Sequence, residues 1–227
     1  VHRFDFDGRY AYLSATLEGF IGNIVVILDL ADPSRPELAG RWWIPGQWEA
    51  GGEEYPWGEG PAPRCHHPLR LGDRLYTSYW HHGCFILDIS DLGAPKQVSE
   101  LFIGPAFPHP RHTALPIPFA VRGRRVMVVA DEDVAKLRPH APAFMWVVDI
   151  SDERHPVPIA SWQVADLDRD GAISLDELLF AISAAPDGAL AAAEGPVESL
   201  RRRKQRLAAT SVPAHRALRT SPYVPAR

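Results

Sequence analysis

One short segment of this chain occurs three times, and it constrains the fold more than anything else in the sequence. The first copy is Ile24-Val25-Val26-Ile27-Leu28-Asp29, followed by Leu30-Ala31-Asp32-Pro33-Ser34-Arg35-Pro36. The second is Phe85-Ile86-Leu87-Asp88 with Ile89-Ser90-Asp91-Leu92-Gly93-Ala94-Pro95, and the third is Met145-Trp146-Val147-Val148-Asp149 with Ile150-Ser151-Asp152-Glu153-Arg154-His155-Pro156. In each copy an apolar run ends in Asp, a second Asp follows three positions on, and a Pro follows seven positions on. Such a run suits a strand buried on both faces. The two Asp side chains can bond nearby backbone N–H groups and close a turn. The Pro, with no N–H to donate, suits the start of an edge strand.

More strands flank each copy. Apolar runs follow the Pro at Leu38 to Ile44, Val98 to Ile103 and Val157 to Val164, and a turn-plus-strand precedes it at Gly8–Leu13, Gly72–Thr77 and Gly123–Val128. Strand, tight turn, strand, loop, buried strand, Asp turn and edge strand describe a four-stranded antiparallel blade. The fold class expected is all-β: a partial β-propeller of about three four-stranded antiparallel blades, followed by a short helical C-terminal tail. The repeats lie about 60 residues apart, longer than the ~40–50 of ordinary propeller repeats. The excess falls in two inserted loops, 46–63 and 131–143, the kind of segment that carries function. The domain division expected is 1–164 for the blades, 165–185 for an acidic loop and helix, and 186–227 for an Ala/Arg/Pro-rich tail, partly helical or disordered.

The Leu-Asp and Val-Asp strand ends, the Ile-Ser-Asp turns and the trailing Pro resemble the LVIVD repeat family over roughly residues 8–164. The resemblance implies a propeller and, since many members are exported or lie at the cell surface, an extracellular or periplasmic setting. It implies no single activity, because function resides in sites rather than folds. A closed propeller takes about 4–8 blades. Three blades therefore imply either a piece of a longer protein or an open arc, and an open arc implies self-association through its uncovered blade edges.

Six of the ten histidines fall in three groups: His66 and His67, His81 and His82, His109 and His112. The blade phase puts all three groups on one rim, joined there by Asp131, Glu132 and Asp133 of the third blade. His66, His67, His109 and His112 start innermost strands, so they are candidate ligands for a transition metal such as Fe, Cu or Zn. The alternative is loop histidines engaged in packing. Cys65 and Cys84, too few for a disulfide framework, are either thiolate ligands or small buried residues.

The segment Asp166-Leu167-Asp168-Arg169-Asp170-Gly171-Ala172-Ile173-Ser174-Leu175-Asp176-Glu177 has the spacing of an EF-hand calcium loop. Asp166, Asp168 and Asp170 would give carboxylate oxygens, Ala172 its carbonyl, and Glu177 a bidentate carboxylate to Ca2+. Leu175, Leu178, Leu179 and Ile182 mark one face of an exiting helix, whereas no helix precedes the loop. The alternative is an acidic turn capping that helix.

A net charge of −4 argues against nucleic acid as the principal partner. No apolar run reaches the ~18 residues of a membrane-spanning helix. Gly-x-Ser-x-Gly, phosphate-loop and His-Glu-x-x-His patterns are all missing, so an enzymatic reading rests on a metal alone. Two functions stay open: a metal-binding propeller module with a binding or scaffold role, and a metal-dependent oxidoreductase or lyase using the rim histidines. In either, a protein or small-molecule ligand is expected at that rim, where Trp48, Tyr55 and Trp57 offer aromatic contacts.

Overall fold

The computed structural model describes residues 1–104, 106–134 and 143–163. The chain divides into two compact units, Val1–Ile173 and Ser174–Arg227, and the described residues belong to the first. The acidic loop 166–177, its exiting helix and the basic tail lie outside the described residues.

The described residues form three four-stranded antiparallel sheets. The first holds β1 (Phe4–Phe6), β2 (Tyr10–Ala15), β3 (Ile24–Asp29) and β4 (Glu37–Trp42). The second holds β5 (His67–Leu71), β6 (Arg74–Ser78), β7 (Cys84–Asp88) and β8 (Lys96–Leu101). The third holds β9 (Arg111–Pro116), β10 (Val126–Asp131), β11 (Met145–Asp149) and β12 (Val157–Trp162). Strand order follows chain order in every sheet. No helix among the described residues is long and apolar enough to cross a membrane.

The repeated motif makes the same bonds three times. Asp29, Asp88 and Asp149 each accept, through Oδ1, the backbone N–H two residues on, at 2.9 Å. Asp32, Asp91 and Asp152 do the same at 3.0 Å. Each strand-ending Asp also holds an arginine from the neighbouring hairpin: Arg9, Arg74 and Arg124 respectively. The hairpins turn at Gly8, Gly72 and Gly123, whose φ values of 103°, 61° and 77° suit glycine.

The sheets share one register. Tyr10, Arg74 and Val126 pair with the strand-ending Asp of their own sheets. The edge strand carries a one-residue irregularity at the same place each time, opposite Ile27/Leu28, Ile86/Leu87 and Val147/Val148. Positions in the second, third and fourth strands therefore correspond one to one, while β9 carries an irregularity of its own opposite Ala130/Asp131.

Two apolar junctions join the sheets. Tyr12, Val25, Ile27 and Trp42 of the first sheet meet Leu75, Phe85 and Leu87 of the second, with Tyr79 and Ile89. Tyr76, Cys84, Ile86 and Leu101 of the second meet Ala114, Met127, Val129, Trp146 and Val148 of the third. Because strand side chains alternate, neighbours such as Leu75 and Tyr76 serve opposite junctions. Close approach matters here: a Cβ on Gly40 would lie 1.7 Å from the Leu92 carbonyl oxygen of the second sheet. At the second junction, Glu153 receives Arg74 Nε at 2.8 Å, Tyr76 OH at 2.8 Å and Arg125 Nη2 at 2.6 Å.

Some details differ from the sequence reading. The edge strands end at Trp42, Leu101 and Trp162, two residues earlier than the apolar runs. β3 and β7 are buried on both faces as expected, but β11 is not: Met145 is 37% exposed, since no described sheet covers that side. The inserted loop 46–63 is fastened rather than open. It contains a 3₁₀ turn, Glu49–Gly51. Glu53 accepts the N–H groups of Gly46, Trp48 and the Trp43 indole. Trp48 packs on Trp43, and Trp57 packs on Tyr55 and His82.

Candidate functional site

His2 and His66 occupy one register position, and His112 lies beside it at an irregularity in β9, where Thr113 pairs with Ala130 but Arg111 with Asp131. Each stands two residues before Phe4, Pro68 or Ala114, which pair with Leu13, Thr77 and Val129 at corresponding points of the second strands. Their backbones show the equivalence: His2 N bonds Ser14 O and His66 N bonds Ser78 O, both at 2.8 Å. The first strands of the three sheets, β1, β5 and β9, lie side by side, with β5 in the middle. They bring the rings together, with centroids 4.5 Å apart for His2 and His66 and 4.4 Å apart for His66 and His112.

The hydrogen bonds fix the tautomers. His66 Nδ1 lies 2.7 Å from the His112 carbonyl, which only accepts, so Nδ1 carries the hydrogen. The His66 Nε2 lone pair then takes an N–H from His2 Nε2 at 2.8 Å. At His112, Nε2 accepts from Arg3 Nη2 at 3.1 Å, so Nδ1–H donates to Thr113 Oγ1 at 2.7 Å. A backbone carbonyl or hydroxyl behind one ring nitrogen, with a lone pair on the other, is the arrangement of a metal-ligating histidine.

Glu132 completes the group. Its N–H bonds Pro110 O at 2.9 Å, holding the segment after β10 against β9. Its Oε2 lies 3.9 Å from both His66 Nε2 and His112 Nε2. The side chain is 40% exposed, yet Oε2 itself is buried and has no hydrogen-bond partner among the described residues. The ligand atoms of His66, His112 and Glu132 all lie within 4.8 Å of one another. Burial, assisted by His112, His2 and Arg3, pushes the His66 imidazole down to about 4, and burial also lowers His112. Both shifts favour the neutral imidazoles, whose Nε2 lone pairs are engaged by the N–H groups of His2 and Arg3.

Trp80 roofs His66. The rings stack at 4.6 Å, and Trp80 adopts a left-handed backbone, φ 53°, that non-glycine residues rarely accept. Its carbonyl is held by Arg111 N at 2.9 Å, and Arg64 lies over its outer face at 4.5 Å.

Of the histidines singled out in the sequence, the structure thus brings His66 and His112 together. His67 turns its Nδ1 to Thr113 Oγ1 at 3.2 Å. His109, 4% exposed, has Nδ1 3.6 Å from Asp133 Oδ1. Asp131 is a structural residue: it holds Arg111, the Phe144 N–H and the Trp146 indole. Cys65 and Cys84 are buried free thiols, pushed up to about 12 by burial, and neither belongs to the group formed by His66, His112 and Glu132. Sequence reasoning missed His2, although the repeat phase that placed His66 and His112 also places it. Glu132 was read only as a rim carboxylate.

Against known proteins, the model of the LVIVD repeat matches residues 7–43. No curated protein matches the chain. The matched segment covers β2, β3 and β4 of the first sheet, whose Asp turns and edge-strand irregularity recur in the other two. Residues 7–43 are an LVIVD repeat.

Proposed function

We propose that this chain is a three-blade stretch of β-propeller whose innermost strands hold a divalent transition metal between His66, His112 and Glu132, with His2 as a further donor. The propeller arrangement is supported by the LVIVD match and by three register-equivalent sheets whose first strands lie side by side. One observation carries the metal reading: an unpartnered, buried Glu132 Oε2 lies 3.9 Å from two imidazole nitrogens that their tautomers leave as lone-pair atoms. Imidazole with carboxylate suits Zn, Fe or Cu. For the metal to bind, the N–H groups of His2 and Arg3 must withdraw from those lone pairs.

The test is elemental analysis and Co(II) titration of the purified protein. Wild type should take up one equivalent, and His66→Ala and Glu132→Gln should each lose most of it. Glu132 is half-exposed, so its variant should fold even if the His66 variant does not. Equal loading of wild type and Glu132→Gln would sink the proposal.

The role assigned is that of a binding or scaffold module. A metal-dependent oxidoreductase or lyase is the second reading, favoured by one point: two imidazoles and a carboxylate leave coordination positions open for a substrate. A calcium ion at Asp166, Asp168, Asp170, Ala172 and Glu177 is proposed alongside, on the loop's sequence spacing alone.

A further inference from the structure

The first and third sheets each have one face that no described sheet covers, and the common register shows what each face was built to meet. Trp42 of β4 pairs with Val25, and Trp162 of β12 pairs with Met145, at corresponding positions. Trp42 is 8% exposed within the first junction, whereas Trp162 is 39% exposed. Leu101, the counterpart in the second sheet, is 8% exposed in the second junction. The other partners follow suit. Ala39 and Val98 pack into the two junctions, while their counterpart Ile159 is 46% exposed. The close-approach position held by Gly40 and Ser99 is Ala160 in the third sheet, small again and exposed. The outer face of the third sheet thus has the residues of a junction without the sheet that fills it.

The first sheet shows the reverse. Its outer face carries Leu13, Val26 and Leu28, packed with Leu17, Phe20 and Trp43, and within it Val26 is 5% exposed. The counterparts of Leu13, Val26 and Leu28, which are Thr77, Phe85 and Leu87 of the second sheet, and Val129, Trp146 and Val148 of the third, are all buried against the sheet before. Phe4 and Phe6 are 61% and 49% exposed on this face. At the Phe4 position the corresponding Pro68 and Ala114 are buried, and at the Phe6 position Pro116 is buried and Arg70 half-buried.

We infer that a second copy of this chain docks on both faces: the third sheet of each copy receives the first sheet of the other, closing a ring of six sheets. The chain supplies both complementary halves of the same junction, so its own copy is a fitting partner, and the contact continues the two junctions already present. Two such heterologous contacts close by a two-fold axis. Six sheets fall within the ~4–8 of closed propellers. The inference rests on the propeller arrangement proposed above.

Sedimentation velocity and light scattering of the full chain over a concentration series provide the test. The expected mass is twice the 25.2 kDa chain. Trp162→Arg on one face and Phe4→Asp on the other should each yield monomer, with circular dichroism melts showing that both remain folded. Mixing the two variants should restore a dimer, because one intact junction remains between them. Either variant dimerising alone would mean a contact of like faces and overturn the inference. A wild-type monomer at every concentration would overturn the second copy while leaving the propeller arrangement standing. An open series of growing masses would instead overturn the propeller arrangement, since stacked sheets that do not curve cannot close.

Discussion

His2 Nε2 donates to His66 Nε2 across 2.8 Å, and the two residues hold the same register position in neighbouring sheets. The repeat therefore supplies an imidazole to one place from each sheet, with His112 as the third. If His2 joins the metal, His2→Ala should weaken Co(II) binding by at least the roughly 10–100-fold typical of outer-shell losses, with little change in melting temperature. Unchanged affinity by titration would remove His2 from the donor set.

Glu153 governs how acid affects the second junction. Burial alone would raise its pKa, but the bonds from Arg74, Tyr76 and Arg125 outweigh that and hold it below the ordinary value of 4.5. A carboxyl depressed on folding stabilises the protein fully above that value, and the contribution disappears as pH falls below it. Glu153→Gln should lower stability by about 1–3 kcal/mol at pH 7 and flatten the acid limb of the stability curve. Parallel curves for variant and wild type below pH ~4.5, by urea melts, would show that Glu153 does not carry this dependence.

Gly40 sets the spacing of the first junction. Its φ is ordinary, so conformational freedom is not the issue; space is, with the Leu92 carbonyl oxygen 1.7 Å from where a Cβ would stand. Gly40→Ala should cost about 1–3 kcal/mol by overpacking two backbones that cannot rotate away. At the corresponding Ala160, exposed on the third sheet, Ala160→Gly should change little in a monomer. Chemical denaturation of both variants decides this, and a neutral Gly40→Ala would mean the sheets can separate freely.

The calcium proposal is independent of the sheets. Glu177→Gln removes one charge of the bidentate ligand and should abolish most of the calcium binding seen by calorimetry. Equal binding in the variant, or none in wild type, would refute the loop assignment.

Much of the fold was legible because its determinants are local. An Asp that bonds the N–H two residues on, a glycine at positive φ in a hairpin, and a proline before an edge strand act within a few residues of themselves. Three copies of that grammar fixed three four-stranded sheets and the phase that put His66, His67, His109 and His112 near the starts of the sheets' first strands. The sequence alone could not choose His66 over His67, or His112 over His109. Neighbouring side chains on a strand point to opposite faces, and a shift of one residue exchanges them. That register is set by pairing across the sheet, as in Pro68 with Thr77 and Ala114 with Val129. Nor could sequence spacing join Glu132 to His66: their Oε2 and Nε2 atoms come within 3.9 Å only because the second and third sheets pack through Tyr76, Met127 and Trp146. Local chemistry drew the strands; burial between sheets, which acts over any sequence distance, decided which side chains meet.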